Sequence, residues 1–271
     1  MINKQLLRKR FSDNAKTYDQ YAKVQKKMAN QLISSLPKSD DFIKILEIGC
    51  GSGYLTQLVC KAFPNASITA VDLAPGMIEI AKKRVFLERI TFLCGDIEEM
   101  DFSHSFDIII SNATFQWLNY PQNVIKKMYG LLNQEGTLSF STFGKETFQE
   151  LHTSYKKAKE KFQIENASSP GQEFYSADDL VDLCESNLPP SYEVFVEKFY
   201  EREYFHDVHE FFTSVRKIGA NNSNKANSLQ RPSFIKELIK QYETSFRDEK
   251  GVKATYDCLF LTILKKGHQI D

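Results

Sequence analysis

The chain predicts a doubly wound α/β fold, and three observations carry that expectation. Strand-like apolar runs alternate with helical patterns between about positions 42 and 143. The first run, Lys44-Ile45-Leu46-Glu47-Ile48, ends in the glycine-rich turn Gly49-Cys50-Gly51-Ser52-Gly53. The second run, Ser67 to Leu73, carries Asp72 about twenty residues after the turn, where a nucleotide-binding α/β unit places an acid for ribose hydroxyls.

Taken in order, Phe42 to Ile48 reads as the first strand. Gly49, Gly51 and Gly53 suit a tight turn that lets a ligand touch the backbone. Tyr54 to Ala62 reads as the helix that follows, and Ser67 to Leu73 as the second strand. The third to fifth strands are Ile90 to Gly95, Phe106 to Ser111 and Thr137 to Phe143, so five parallel strands are expected. Pro121 to Asn133 places Val124, Ile125, Met128, Leu131 and Leu132 on one helical stripe, with Pro121 in its first turn. These residues are core. Ser191 to Phe205 and Ala254 to Lys265 are long β-rich segments. Lys145 to Asn187 and about His206 to Lys250 exceed what the minimal fold requires and read as a helical lid over a substrate pocket. The polar turn Ala220-Asn221-Asn222-Ser223-Asn224 lies inside the stretch from Gly219 to Ser228, which is expected to be disordered. The implied organisation is an N-terminal element over residues 1–40, a cofactor-binding core over 41–145, lid elements over 146–190 and 206–250, and edge strands over 191–205 and 252–266.

With 271 residues, 42% of them hydrophobic, the chain can bury a sizeable core. Lys plus Arg and Asp plus Glu both number 35, which argues against generalised attraction to nucleic acid. Five cysteines show no Cys-x-x-Cys and no metal-ligand spacing, and an odd number suits a reducing cytoplasm better than a disulfide framework. No run approaches bilayer-spanning length, and Met1 to Arg10 lacks an apolar signal core. A cytoplasmic monomer is expected. His206 and His209 could pair on one helix, but no third ligand is evident, and no metal is expected.

The glycine turn also bears on the cofactor. A dinucleotide turn must hold an anionic pyrophosphate, which Glu47 on its threshold would oppose. S-adenosylmethionine carries a sulfonium and an ammonium instead, and the Gly-x-Gly-x-Gly spacing points the same way. From Leu46 to about Phe143 the sequence resembles the class I S-adenosylmethionine-dependent methyltransferases. The resemblance implies their Rossmann-like sheet, mostly parallel with an antiparallel edge pair made by the last two β-rich segments. Glu47, Gly49, Gly51, Gly53, Asp72 and Leu73 would then bind the cofactor, and Asp96 and Ile97, after the third strand, would hold its adenine. For Asp96 a turn or helix-cap aspartate is the competing role. Asn112 follows the fourth strand, at the sheet end where open α/β sheets bind ligands.

Asn112-Ala113-Thr114-Phe115-Gln116-Trp117-Leu118 is similar to a pattern in two families of carboxyl methyltransferases, acting on trans-aconitate and on malonyl-acyl carrier protein. Arg10 to Ala22 with Gln25, Leu138 to Leu151, and Val215-Arg216-Lys217-Ile218-Gly219-Ala220 resemble the second family. That family implies methyl esterification of a malonyl thioester on a carrier protein or coenzyme A, the entry to biotin synthesis. It makes Tyr18 the residue that covers or orients cofactor and substrate, although a surface tyrosine on an amphipathic helix would look the same. Trp117 is a pocket wall or plain core. Arg216 and Lys217 are candidate partners for the substrate carboxylate. Lys156, Lys157, Lys159 and Lys161 could meet an acidic carrier or form a solvated face. The rivals are a trans-aconitate-type enzyme, a quinone-type C-methyltransferase, and a cofactor-binding protein without transfer activity.

Overall fold

A computed structural model describes residues 1–36, 39–164, 170–219 and 231–267. The polar turn at 220–224, and all but the first residue of the stretch expected to be disordered, lie outside the described residues. The sheet is built from β1 (Lys44–Ile48), β2 (Ser67–Asp72), β3 (Ile90–Cys94), β4 (Phe106–Asn112), β5 (Leu132–Phe143), β6 (Tyr192–Phe205), β7 (Arg247–Asp248) and β8 (Gly251–Lys265). Its order is β3-β2-β1-β4-β5-β8-β6, with β7 folding back on β8. The first five strands run parallel, and β8 enters antiparallel to both β5 and β6. This is the doubly wound sheet with an antiparallel edge pair.

Consecutive residues of the central strands serve opposite cores, which is why those strands read as continuous apolar runs. Ile45 belongs to one core and Leu46 and Ile48 to the other; Ile108 and Ile110 face the first, Phe106 and Ile109 the second. The helices are α1 (Lys4–Asn14), α2 (Tyr18–Tyr21), α3 (Lys23–Ser34), α4 (Tyr54–Ala62), α5 (Pro75–Arg84), α6 (Pro121–Leu131), α7 (Gln149–Lys161), α8 (Ala177–Asn187), α9 (Val208–Lys217) and α10 (Pro232–Phe246). Val24 and Met28 of α3 and Leu55 and Val59 of α4 fill the first core, with Phe211 of α9 and Tyr242 of α10 joining it. Val124, Ile125 and Met128 of α6 fill the second with Leu180 and Cys184 of α8. Leu131 of the expected stripe packs against that core only in part.

Two elements depart most from the sequence reading. The fifth strand begins at Leu132 instead of Thr137. Leu132 pairs with Phe106 before a register shift, and only from Thr137 does regular pairing with β4 resume, so a bulge hides the early start. The short hairpin strand β7 was read as part of the lid. No described helix is long and apolar enough to cross a membrane.

Candidate active site

The carboxyl ends of the parallel strands open into a cavity of about 390 Å³, lined mainly by apolar side chains. Of the residues singled out in the sequence, Tyr18, Gly49, Gly51, Asp72, Leu73, Asp96, Ile97, Asn112, Trp117 and Arg216 line it. Glu47, Gly53 and Lys217 are not on its wall. Lys4, Phe11, Gln25, Thr114, Gln116 and His152 also line it, and the sequence reading missed them as site residues.

The glycine turn is already hydrogen-bonded to the protein. Gly49 and Cys50 donate their amides to the Val71 carbonyl at 2.8 and 2.9 Å, and Gly53 donates to the Cys50 carbonyl at 2.9 Å. Gly51 donates to Asp72 Oδ2 at 2.8 Å, and Ala74 to Asp72 Oδ1 at 2.8 Å. Four amides of the turn are thus engaged by the protein, so the turn suits a cofactor that touches the backbone without demanding those N–H groups. Gly49 has φ +70°, and a Cβ on it would overlap the Thr114 side chain. Gly53, at φ +81°, caps α4, which explains its position behind the turn.

Asp72 holds the turn and faces the cavity at once. Burial pushes its carboxyl up to about 6, against the pull of the two amides from Ala74 and Gly51. It is ionised at neutral pH and able to accept ribose hydroxyls. Glu47 differs. Strand alternation turns it toward the face of Ile45 and away from the cavity. It is 0% exposed, and neither carboxyl oxygen has a hydrogen-bond partner. Desolvation pushes it up to about 8, reinforced by the Asp72 charge. At pH 7 Glu47 is therefore a mostly neutral group that does not line the cavity.

Helices α1 and α2 form the cover. Phe11 meets Trp117 edge-on at 5.7 Å and Tyr18 at 6.4 Å between ring centroids, an aromatic roof. Trp117 is thus a cavity wall. Burial, with the charges of Asp72 and Asp19, raises the Tyr18 phenol well above its ordinary value, so it remains a neutral hydroxyl. The cover is pinned at two places. Lys4 Nζ reaches Asp96 at 3.3 Å and also pairs with Glu98, while Asp96 accepts from Glu98 N at 3.1 Å, the turn role, and also lines the cavity. Arg84 pairs with Asp19 and donates to Ser52 Oγ at 3.0 Å, and Ser52 donates to Asp19 Oδ1 at 2.7 Å. Against desolvation, which works the other way, the bonds from Arg84 and Ser52 hold Asp19 below its ordinary value.

Asn112 is a brace within the wall: it donates to the Gln25 carbonyl at 3.0 Å and accepts from Ser141 Oγ at 2.7 Å. The next residue, Ala113, has φ +50°, and Phe148, which also lines the cavity, has φ +58°. Positive φ outside glycine is a cost that recurs at functional sites. At the lid end, Arg216 is the guanidinium on the wall. His152 is half-buried there, and desolvation lowers its pKa, so its imidazole is neutral at pH 7. The lysine face of α7 serves packing at two points: Lys157 donates to Ser245 Oγ at 3.0 Å, and Lys161 pairs with Glu237 at 2.6 Å.

Residues 46–140 match the model of a methyltransferase domain. The chain is 55% identical over 98% of its length to a malonyl-[acyl-carrier protein] O-methyltransferase of Priestia megaterium, covering 99% of that protein. It is 45% identical over 98% of its length to the enzyme of that name from Acetivibrio thermocellus, covering 95% of it. Among solved structures, YcgJ of Bacillus subtilis aligns with TM-score 0.62 at 12% identity, over 89% of this chain and 99% of that one. Phosphoethanolamine N-methyltransferase 2 of Haemonchus contortus, in complex with S-adenosyl-L-methionine, aligns with TM-score 0.57 at 14% identity, over 94% of this chain and 57% of that one. Identity of this extent along nearly the whole chain, on a sheet of this order, shows that the protein belongs to the malonyl-[acyl-carrier protein] O-methyltransferase family.

Proposed function

We propose that the protein uses S-adenosylmethionine to esterify the free carboxylate of a malonyl thioester, with malonyl-acyl carrier protein as the natural substrate. The near-full-length identity to relatives of that name carries this reading. When bound, the cofactor supplies a methyl group activated on a sulfonium. Asp72, Leu73, Asp96 and Ile97, which line one cavity, would hold its adenosine half, and Gly49 and Gly51 would permit close approach.

The substrate carboxylate has a pKa of about 3 to 4 and is already ionised at neutral pH, so the site needs no general base. What these residues contribute is orientation and exclusion of water. Phe11, Tyr18 and Trp117 roof the reacting end. Arg216 stands where the carboxylate can be paired as it enters, and the Tyr18 hydroxyl can donate to it. Positioning of this kind is worth far more than one hydrogen bond, because carboxylate and sulfonium lose their charges together. The methyl ester masks the charge that would stop fatty-acid enzymes from extending the chain toward pimelate and biotin. A cytoplasmic monomer suits that role.

The test is mass spectrometry of malonyl-acyl carrier protein after incubation with enzyme and S-adenosylmethionine, with succinyl-carrier, malonyl-coenzyme A and trans-aconitate alongside. One added methyl group on malonyl thioesters alone supports the reading. Methylation of trans-aconitate alone replaces it with the small-molecule carboxyl reading.

A further inference from the structure

At its lid end the cavity is lined from two helices. Phe148, the residue before α7, lines it with Leu151 and His152 of that helix, and α9 contributes Phe212, Val215 and Arg216. The Phe148 and Phe211 rings meet edge-on at 5.0 Å and join the two. Of the six lining side chains only Arg216 and His152 are polar; Arg216 can only donate a hydrogen bond, and His152 alone can accept one. The other polar side chains near this end are committed. Gln116 donates to the Ala113 carbonyl at 2.7 Å and accepts from Thr142 Oγ1 at 3.0 Å. Thr147 Oγ1 bonds the carbonyl and the amide of Asp257 at 3.3 and 3.1 Å, and Tyr256 donates to Glu203 at 3.3 Å. Gln172 donates to the Gln116 carbonyl, and its Oε1 is buried.

A malonyl thioester brings more than a carboxylate to this end. On a carrier protein or coenzyme A the sulfur terminates a phosphopantetheine arm, in which two methylenes separate it from an amide. Once the arm leaves water, that amide's N–H needs an acceptor. Carbonyls within α7 and α9 bond inside their helices, and Arg216 has no lone pair to offer. In the neutral imidazole of His152, burial keeps the second proton off, and the Thr147 backbone takes the hydrogen bond from the one N–H that remains. The other ring nitrogen is left as an acceptor. We propose that His152 accepts the N–H of the arm's amide nearest the sulfur, and so selects thioesters borne on a phosphopantetheine arm over free small acids. The inference rests on the malonyl-thioester reading above and goes beyond it by naming the residue that recognises the arm.

Methyl-transfer kinetics test it, with malonyl-acyl carrier protein bearing either the native arm or an arm whose amide nearest the sulfur is replaced by an ester, which lacks the N–H. Wild-type protein should show kcat/KM higher for the native arm by roughly fivefold to a hundredfold, the cost of leaving a buried acceptor unpaired. His152→Leu should bring that ratio within about twofold of one while leaving the ester-arm value within about threefold of wild type. His152→Gln, which keeps an acceptor, should retain part of the preference. Equal loss on both substrates in His152→Leu, with the ratio preserved, would mean that His152 only packs the wall, and a wild-type ratio near one would mean that no acceptor meets this amide. Either result overturns the proposal and leaves the thioester reading in place, whereas failure of wild-type protein to methylate either carrier would defeat that reading and the proposal together.

Discussion

Replacing Glu47 with Gln should change how stability depends on pH more than it changes stability itself. The Glu47 carboxyl is 0% exposed with both oxygens unpartnered, and desolvation takes it from an ordinary 4.5 to about 8. At about 1.4 kcal/mol per pH unit, that interval makes the ionised form costly by on the order of 5 kcal/mol in the folded protein. Between the two values the unfolded chain has released the proton while the folded protein keeps it. Stability therefore falls as pH rises, because the unfolded state binds fewer protons. The contribution is complete below 4.5, is reduced by about 3 kcal/mol at pH 7, and flattens above 8. Gln cannot ionise, so its curve lacks this descent; its buried amide costs about 1 to 3 kcal/mol at every pH. Urea unfolding of cofactor-free protein from pH 5.5 to 8.5 should show two curves that converge and cross, the variant being the more stable at the alkaline end. Parallel curves across that range would refute the burial argument.

Tyr18→Phe should lower kcat about tenfold or more while changing the affinity for S-adenosylhomocysteine less than threefold, because it removes one hydroxyl from the roof and leaves the ring contact with Phe11; equal losses in both would make Tyr18 a binding residue. Asp72→Asn should weaken cofactor binding by at least tenfold, measured by calorimetry. The wild-type affinity should fall as pH drops through about 6, where Asp72 protonates, and the Asn variant should lack that fall; unchanged affinity would remove the ribose assignment.

The parts legible in the sequence were those that local chemistry dictates. Gly49 and Gly51 need positive φ, and Asp72 must end a strand beside them; both facts show in spacing. The burial of Glu47 off the cavity wall was not legible, because β1 is buried on both faces, and in such a strand alternation carries no visible polarity to say which side a residue takes. The pins of the cover were invisible for another reason. Lys4 meets Asp96 across 92 positions and Arg84 meets Asp19 across 65, and single charged residues at such separations look like ordinary surface. Lys157 and Lys161 show the converse. A run that reads as a docking face is partly consumed by Ser245 and Glu237 on α10.

The strand order sets a timetable for assembly. β8 follows β6 in the sequence, yet it lies between β5 and β6, and most of its residues are buried. While the chain is being made, β5 offers an unpaired apolar edge, and β6, already synthesised, has no neighbour to bind. The two faces of that gap are joined only when residues 251–265 arrive and zip into both sides at once. Such a sheet closes late, through contacts distant in sequence. Its open edge in the interim is the place where a nascent or shortened chain would capture a foreign strand.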